Sequence, residues 1–378
     1  MKKKSVILIG FMPNPRMYKR IEVEKDIFDL YLICWNRDDG TQINPNPVGY
    51  SIHCIDITAP NNPLKRMIPY KKFTSVTGEL LEKINPSVIH VQGLDMLEIA
   101  YNYKKKSNNK VNLIYEVADL HHLIIDEQKN PITKIARYYL RKKERNICKQ
   151  ISLLIVTSEK YIDIHFKTFV PAEKILFMPN VPDLTVFENY ARKKTDINDF
   201  TVGFVGGIRY PEQINNLITA VEQTKDKLLM AGFEQGGFGI QKRCKEYDRC
   251  EWMGRFDFKK QAAQIYGKCD LVYSVYDVDM KNVRVALPNK LYEAIYCEIP
   301  IIVAKGTYLS ELVEEWGVGV SVNHKSVDEL VEVITELKNN SEYYNNIVEN
   351  CRKHKDYCDL DFYNDKLKER LKKLESKV

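Results

Sequence analysis

The sequence contains no apolar run near the ~18 residues that would span a bilayer. Its longest apolar stretches, Ile151–Thr157 and Ile299–Ala304, have the length of strands. There is no CxxC pair, and the nine cysteines at 34, 54, 148, 244, 250, 269, 297, 351 and 358 are odd in number and scattered. Neither a disulfide framework nor a zinc site is indicated, and a cytoplasmic location is expected. A GxGxxG fingerprint, a GxxxxGK[ST] loop and an HExxH helix are all missing, which removes the usual carriers of dehydrogenase, P-loop and zincin chemistry. Repeats of 20–50 residues and low-complexity tracts are absent too. Lys2-Lys3-Lys4 followed by Ser5–Met12 imitates a signal peptide, but the apolar core stops at Pro13-Asn14-Pro15 with no small-residue cleavage site. It reads as a first strand.

What is present is an ordinary globular composition, 44% hydrophobic and 29% charged over 378 residues. At roughly 150 residues per domain this length suggests two domains. Charge is uneven: residues 1–182 hold 28 Lys+Arg against 19 Asp+Glu, and residues 183–378 hold 29 against 32. A basic first half beside a mildly acidic second half implies two surfaces with different partners, an anionic membrane or a phosphate-bearing acceptor among them. Nucleic acid is not expected, because no binding module or basic–aromatic repeat is present.

Short β-branched runs alternate with amphipathic segments. Strands are expected at Ser5–Phe11, Leu30–Trp35, Tyr50–Ile57, Ser87–Val91, Asn112–Val117, Leu153–Thr157 and Ile175–Pro179. Helices are expected between them at Arg16–Phe28, Leu64–Ile84, Asp95–Lys105, Ile132–Lys149 and Glu159–Phe169. After a polar stretch at Pro179–Lys194 the pattern restarts with a strand at Phe200–Val205. It runs through a helix at Asn289–Cys297 and a strand at Gly319–Val322 to a charged helix at Asp361–Ser376. Two βαβ series of this kind predict an α/β protein of two Rossmann-like doubly wound domains facing a cleft, with ligands at the carboxyl ends of the strands. The expected boundaries are 1–182, 183–355 and a terminal helical piece at 356–378.

Two segments point to an anionic ligand. In Thr201–Glu212 a strand runs into Gly206-Gly207, then Arg209 and a helix start. Glycines let a ligand approach the backbone, and Arg209 beside a helix N-terminus suits a diphosphate, although a solvated arginine on a glycine turn fits equally. In Leu287–Val303, Pro288 opens a helix and places Asn289 and Lys290 where free N–H groups favour an anion. Glu293, one turn on, suits two ribose hydroxyls, although an amphipathic helix with a solvent-facing Glu reads the same way.

"PNKLYEAIYCEIPIIV" at 288–303, "VGFVGGIR" at 202–209 and "MPN" at 178–180 resemble the donor side of GT-B glycosyltransferases, especially the retaining family four of bacterial surface-polysaccharide synthesis. "Asn14-Pro15-Arg16…Lys19-Arg20" and "Tyr115-Glu-Val-Ala-Asp-Leu-His-His122" resemble its acceptor-side loops. The resemblance implies transfer of a sugar from a nucleotide-sugar donor, UDP rather than GDP, with retention and without metal or other cofactor. It assigns Gly206, Gly207, Arg209, Asn289, Lys290 and Glu293 to the donor. It places Asp119 and His121 or His122 at the transferred sugar as the catalytic group. It implies an acceptor-side first domain, a donor-binding second domain and a terminal helix packed back on the first.

The sequence departs from that pattern in three places. The first of the family's two Glu falls at Val285, with Asn282 or Asp277 as stand-ins; its Lys after the Gly-Arg turn falls at Gln213; and its His before Asp119 is Ala118. Asp277-Val278-Asp279 is a DxD, the metal signature of the other glycosyltransferase fold, and reads here as a loop. The helix Ile132–Lys149 interleaves basic residues, Arg141 and Lys142 among them, with Ile135, Tyr138, Tyr139 and Leu140. With Arg16, Lys19 and Arg20 it is expected to face the acceptor or an anionic membrane surface at the inner side of the cell membrane, where a saccharide or lipid-linked acceptor would be met. A nucleotide-sugar epimerase on the same fold, or a non-catalytic nucleotide-sugar or partner-binding member, remains open at this point.

Overall fold

The computed structural model describes residues 2–37, 47–60, 62, 65–108, 110–125, 130–193, 195–234 and 236–376. The chain divides into two units, Met1–Pro179 with Asp361–Val378, and Asn180–Leu360. Residues 180–182 and 356–360 thus belong to the second unit rather than to the pieces expected from sequence.

The first unit runs β1 (Lys4–Ile9), α1 (Pro15–Ile27), β2 (Asp29–Asn36), β3 (Ser51–Asp56), α2 (Met67–Ile84), β4 (Val88–Gln92), α3 (Leu94–Lys106), β5 (Asn112–Val117), α4 (His122–Ile125), α5 (Pro131–Cys148), β6 (Leu153–Val156) and β7 (Ile175–Phe177). Its seven strands are all parallel, in the order β3-β2-β1-β4-β5-β6-β7. Helices cover both faces, so β1 is buried from Ser5 to Ile9, as all-parallel sheets require. Asn14 caps α1, its Oδ1 accepting from Met17 N at 3.0 Å, and Pro15 fits the first turn.

The second unit runs β8 (Thr201–Val205), α6 (Pro211–Thr224), β9 (Lys227–Ala231), α7 (Ile240–Lys245), β10 (Cys250–Gly254), α8 (Phe258–Gly267), β11 (Leu271–Ser274), α9 (Lys281–Val285), α10 (Asn289–Tyr296), β12 (Ile301–Ala304), α11 (Tyr308–Trp316), β13 (Gly319–Val322), α12 (Val327–Asn339) and α13 (Ser341–Lys353). Its six parallel strands are ordered β10-β9-β8-β11-β12-β13. In each unit the first strand is flanked on both sides, by β2 and β4 or by β9 and β11. That is where a doubly wound sheet opens a crevice beyond its strand ends.

The last helix, α14 (Leu360–Ser376), packs on the first unit. Leu367 and Leu371 are buried, Arg370 donates to Glu173 O at 2.8 Å, Asn112 Nδ2 donates to Leu374 O at 3.3 Å, and Tyr363 meets Phe177 edge-on.

Three local expectations differ from the structure. The segment expected as the helix Glu159–Phe169 contains a π-helical turn at Ile162–Phe166. There His165 reaches Glu144 at 2.6 Å while Phe166 and Phe169 pack against the His165 ring. Helices α4 and α9 were not expected, since at four and five residues they are too short to show a period. Leu64, the expected start of α2, and Lys194, in the expected linker, lie outside the described residues.

Candidate donor and acceptor sites

In the second unit the carboxyl ends of β8 and β11 converge on Lys290. Its Nζ donates to Tyr276 Oη at 2.9 Å and lies 4.8 Å from the centre of the Phe204 ring and 5.3 Å from that of Tyr276. Lys290 is only 9% exposed, and no carboxylate pairs with it among the described residues. It sits in the first turn of α10, whose N-terminal N–H groups have no side-chain cap. Asn289, beside it, accepts at Oδ1 from Asn180 Nδ2.

Gly206 lies directly beside the amine: a Cβ there would stand 3.2 Å from Lys290 Nζ, and its φ of +133° is one that glycine alone adopts readily. The loop is pinned by Gly206 N to Ala231 O at 2.8 Å and Ile208 N to Phe233 O at 3.0 Å. Gly207 is half-buried, and Arg209 follows, exposed and without an ion pair among the described residues. The structure thus brings together Gly206, Gly207, Arg209, Asn289 and Lys290 around an uncapped helix end.

Glu293 is a correction. It is 4% exposed, and its Oε2 accepts from Tyr266, which is itself fully buried. Helix α10 is enclosed nearly all round, from Lys290 to Ile295, so a residue one turn beyond Lys290 points into the core. Its carboxylate is held beneath the helix rather than standing open for two ribose hydroxyls. Gln213 is likewise buried, facing His324 Nδ1 at 3.4 Å. Tyr276 and Tyr210, whose rings meet at 5.5 Å, were missed by sequence reasoning. Tyr276 stands two residues past the end of β11, and the strand-end rule would have found it.

Asp277, Asp279 and His324 gather within 4.8 Å of one another, close enough to hold a cation. Protein groups already occupy them. Lys325 Nζ reaches Asp279 at 2.6 Å, Asp277 accepts from Asp279 N at 2.9 Å, and His324 Nδ1 lies 3.6 Å from Asp277. Val285 and Asn282 lie on α9, which Arg284 ties to this turn by donating to Val278 O at 2.7 Å.

In the first unit, Asp119 is exposed and Arg16 half-buried, and both act electrostatically on Tyr161. Burial foremost, then Asp119, pushes the Tyr161 phenol up. His121 is exposed and lines a cavity with Gly10, Gln92 and Gly93. The side chain of His122 lies outside the described residues.

Arg20 is the second correction. It is 2% exposed and faces neither acceptor nor membrane. Residues 17, 20, 21 and 24 form the inward stripe of α1, and Arg20 Nε meets Glu116 Oε2 at 3.0 Å. His90 Nδ1 stands 2.5 Å from Glu24 and its Nε2 3.2 Å from Glu116, while Ser5 donates to Glu24 at 3.2 Å. Lys19 is half-buried. Arg141 and Lys142 are exposed on α5, Arg141 donating to Ile124 O at 2.7 Å and Lys142 lying over the Tyr138 ring. Ile132, Ile135, Tyr138 and Tyr139 on the same helix are also exposed.

Two parallel-sheet α/β units, with an uncapped helix end in the second, have the architecture of the GT-B fold. Residues 187–354 match the family described as glycosyl transferases group 1. The succinoglycan biosynthesis protein ExoL of Rhizobium meliloti is 23% identical over 273 residues, 68% of this chain. The match spans 65% of that relative's length, under two thirds. Among solved structures, a sucrose-phosphate synthase of Thermosynechococcus elongatus is similar with a TM-score of 0.74 at 15% identity, covering 100% of both chains. Anabaena HepE in complex with UDP is similar with a TM-score of 0.70 at 15% identity, covering 98% of this chain and 100% of that one. Among the described residues no helix is long and apolar enough to cross a membrane.

Proposed function

We propose that this protein transfers a sugar, with retention of configuration, from a UDP-sugar to a saccharide or lipid-linked acceptor in surface-polysaccharide synthesis. The observation that carries the reading is Lys290: a nearly buried ammonium with no carboxylate partner among the described residues, beside Gly206 and an uncapped helix N-terminus. Burying such a cation is costly unless an anion completes it. The donor diphosphate is that anion, with Arg209 as a second, solvent-side contact. As the bond between sugar and diphosphate breaks, charge builds on the departing phosphate, and Lys290 with the α10 N–H groups stabilises it there. A similar solved structure holding UDP, and a relative named for succinoglycan biosynthesis, support the choice of nucleotide and of acceptor class.

This reading needs no metal, because Lys325 already neutralises Asp279. It places the acceptor in the first unit, near Asp119, Arg16 and His121. It places the enzyme at the cytoplasmic face of the membrane, with Arg141, Lys142 and the exposed Ile132, Ile135, Tyr138 and Tyr139 of α5 against anionic lipid.

Calorimetric titration with UDP, with and without Mn²⁺, tests the donor site. Binding independent of Mn²⁺, weakened about tenfold or more in Lys290→Met, is expected, as for a lost charge-assisted contact. Binding only with Mn²⁺ would move the site to Asp277 and Asp279, and UDP binding untouched by Lys290→Met would end this reading. For the membrane face, sedimentation with phosphatidylglycerol vesicles should retain the wild type and lose a Tyr138→Ser/Tyr139→Ser variant. Equal retention would remove α5 from the contact.

A further inference from the structure

We propose that Met12, Cys34 and Cys54 form a three-sulfur site for a soft monovalent metal ion, Cu(I), in the first unit. The inference is independent of the transferase reading above. No CxxC pair announces the site, because strand register assembles it. β2 and β3 run parallel with Cys34 opposite Cys54, and residues paired in this way point to the same face of the sheet. That face packs on α1: Cys34 belongs to the buried cluster that includes Met17 and Ile21, and the half-buried Met12 and Cys54 pack against it.

Met12 lies on the loop between β1 and α1 and supplies the third corner. Its Sδ stands 3.9 Å from Cys34 Sγ and 3.6 Å from Cys54 Sγ, so both thiols meet one thioether. The two thiols are also within hydrogen-bond reach of each other. A metal–sulfur bond of about 2.3 Å in a flat three-sulfur site sets the sulfurs about 4 Å apart. The trio therefore needs little movement to admit an ion in place of the thiol protons, which pass to solvent. Cys34 is fully buried, so the way in is from the side of Met12 and Cys54.

The donor set selects the ion. Thiolate and thioether sulfur are soft ligands, which favour Cu(I) over hard cations. Structural zinc takes four donors in a tetrahedron and draws them from Cys, His and carboxylate rather than from thioether. Asp56 is not placed as a fourth donor: its Oδ1, 3.7 Å from Cys54 Sγ, is turned to Asn36 Nδ2, from which it accepts at 2.8 Å. Two thiolates with one monovalent ion carry one net negative charge, and the half-buried side of the site keeps that charge within reach of water. Bound there, the ion fastens the loop that leads to the Asn14 cap of α1 onto two neighbouring strands.

The test titrates the full chain, reduced and free of oxygen, with Cu(I) against bicinchoninate as a competing chelator. The wild type should take up one equivalent that Cys54→Ala does not. Met12→Leu, which keeps volume and apolarity, should hold that equivalent about tenfold or more weakly, as expected when a ligand is lost. X-ray absorption at the copper edge should show three sulfur neighbours in the wild type and two in Met12→Leu, and excess Zn(II) should not displace the ion. Circular dichroism of the metal-free proteins separates a lost ion from a lost fold. The remaining cysteines are common to all three proteins, so copper held by them appears equally in each. Uptake unchanged in Cys54→Ala, equal affinity in Met12→Leu and wild type, only two sulfur neighbours in the wild type, or displacement by zinc would each overturn the proposal.

Discussion

Both units bury a cation under the strand ends of a parallel sheet, and they treat it in opposite ways. In the first, Arg20 meets Glu116, Glu116 meets His90, and His90 meets Glu24, all buried. The charges cancel within the protein, and every head group has a protein partner. In the second, Lys290 faces the rings of Phe204 and Tyr276, the Tyr276 hydroxyl and a glycine, with no carboxylate paired to it among the described residues. A balanced cluster holds its helices and strands in register and offers nothing to a ligand. An unbalanced one is completed from outside. Burial of charge thus marks architecture in one unit and a binding site in the other, and the counter-ion tells them apart.

The largest effect that would sharpen this contrast is expected from Arg20→Ala. It leaves Glu116 buried beside a single remaining partner, and removing one member of a buried pair costs about 3–5 kcal/mol. Urea unfolding followed by fluorescence should show that loss, with the first unit melting at lower denaturant than the second. A loss below about 1 kcal/mol would mean that the pair is as weak as an exposed one, and the contrast would fail.

Next in size is a pH effect confined to the same cluster. Burial alone would lower the His90 pKa, but Glu24 and Glu116 outweigh it and raise it from 6.5 to about 9. Burial would raise Glu116, but Arg20 and His90 hold it well below the usual carboxylate range. Because the folded protein keeps the imidazolium proton longer than the unfolded chain, its contribution is complete below pH 6.5. It is lost as pH rises toward 9. Stability should therefore fall by a few kcal/mol across that window in the wild type and stay nearly level in His90→Gln. Parallel curves for the two proteins would show that His90 is neutral in the fold.

How much of this was legible beforehand follows from the same physics. Strands such as Leu153–Val156 and Gly319–Val322 stand out because parallel strands covered on both faces read as unbroken β-branched runs. Gly206 and Lys290 were legible because glycine at a strand end and proline before a helix are local signals. Arg20 was misread because the inward stripe of α1 carries Arg20 and Glu24, so its polarity argued for solvent while its spacing placed it inside. Its partner Glu116 lies 96 residues on, beyond any local pattern. Glu293 failed for a related reason: the spacing from Lys290 puts it one turn along, but only the packing of Tyr266 shows that this turn faces the core.

The smallest stability change is expected where the comparison is most exposed to failure, at Lys290→Met. A thioether of similar length fills the same space between Phe204 and Tyr276 and removes an ammonium that no carboxylate pairs with among the described residues. Replacing a buried, uncompensated charge with an apolar side chain is commonly neutral or stabilising, so unfolding should shift by less than about 1 kcal/mol, in either direction. The same variant should no longer gain stability from UDP, whereas the wild type should gain about 2.7 kcal/mol at a hundredfold excess over Kd. The two cations would then be separated by one experiment each: Arg20 needed for the fold, Lys290 needed only when an anion arrives. A Lys290→Met protein that unfolds as readily as Arg20→Ala would show instead that Lys290 holds the second unit together, and that its missing counter-ion carries no message about a ligand.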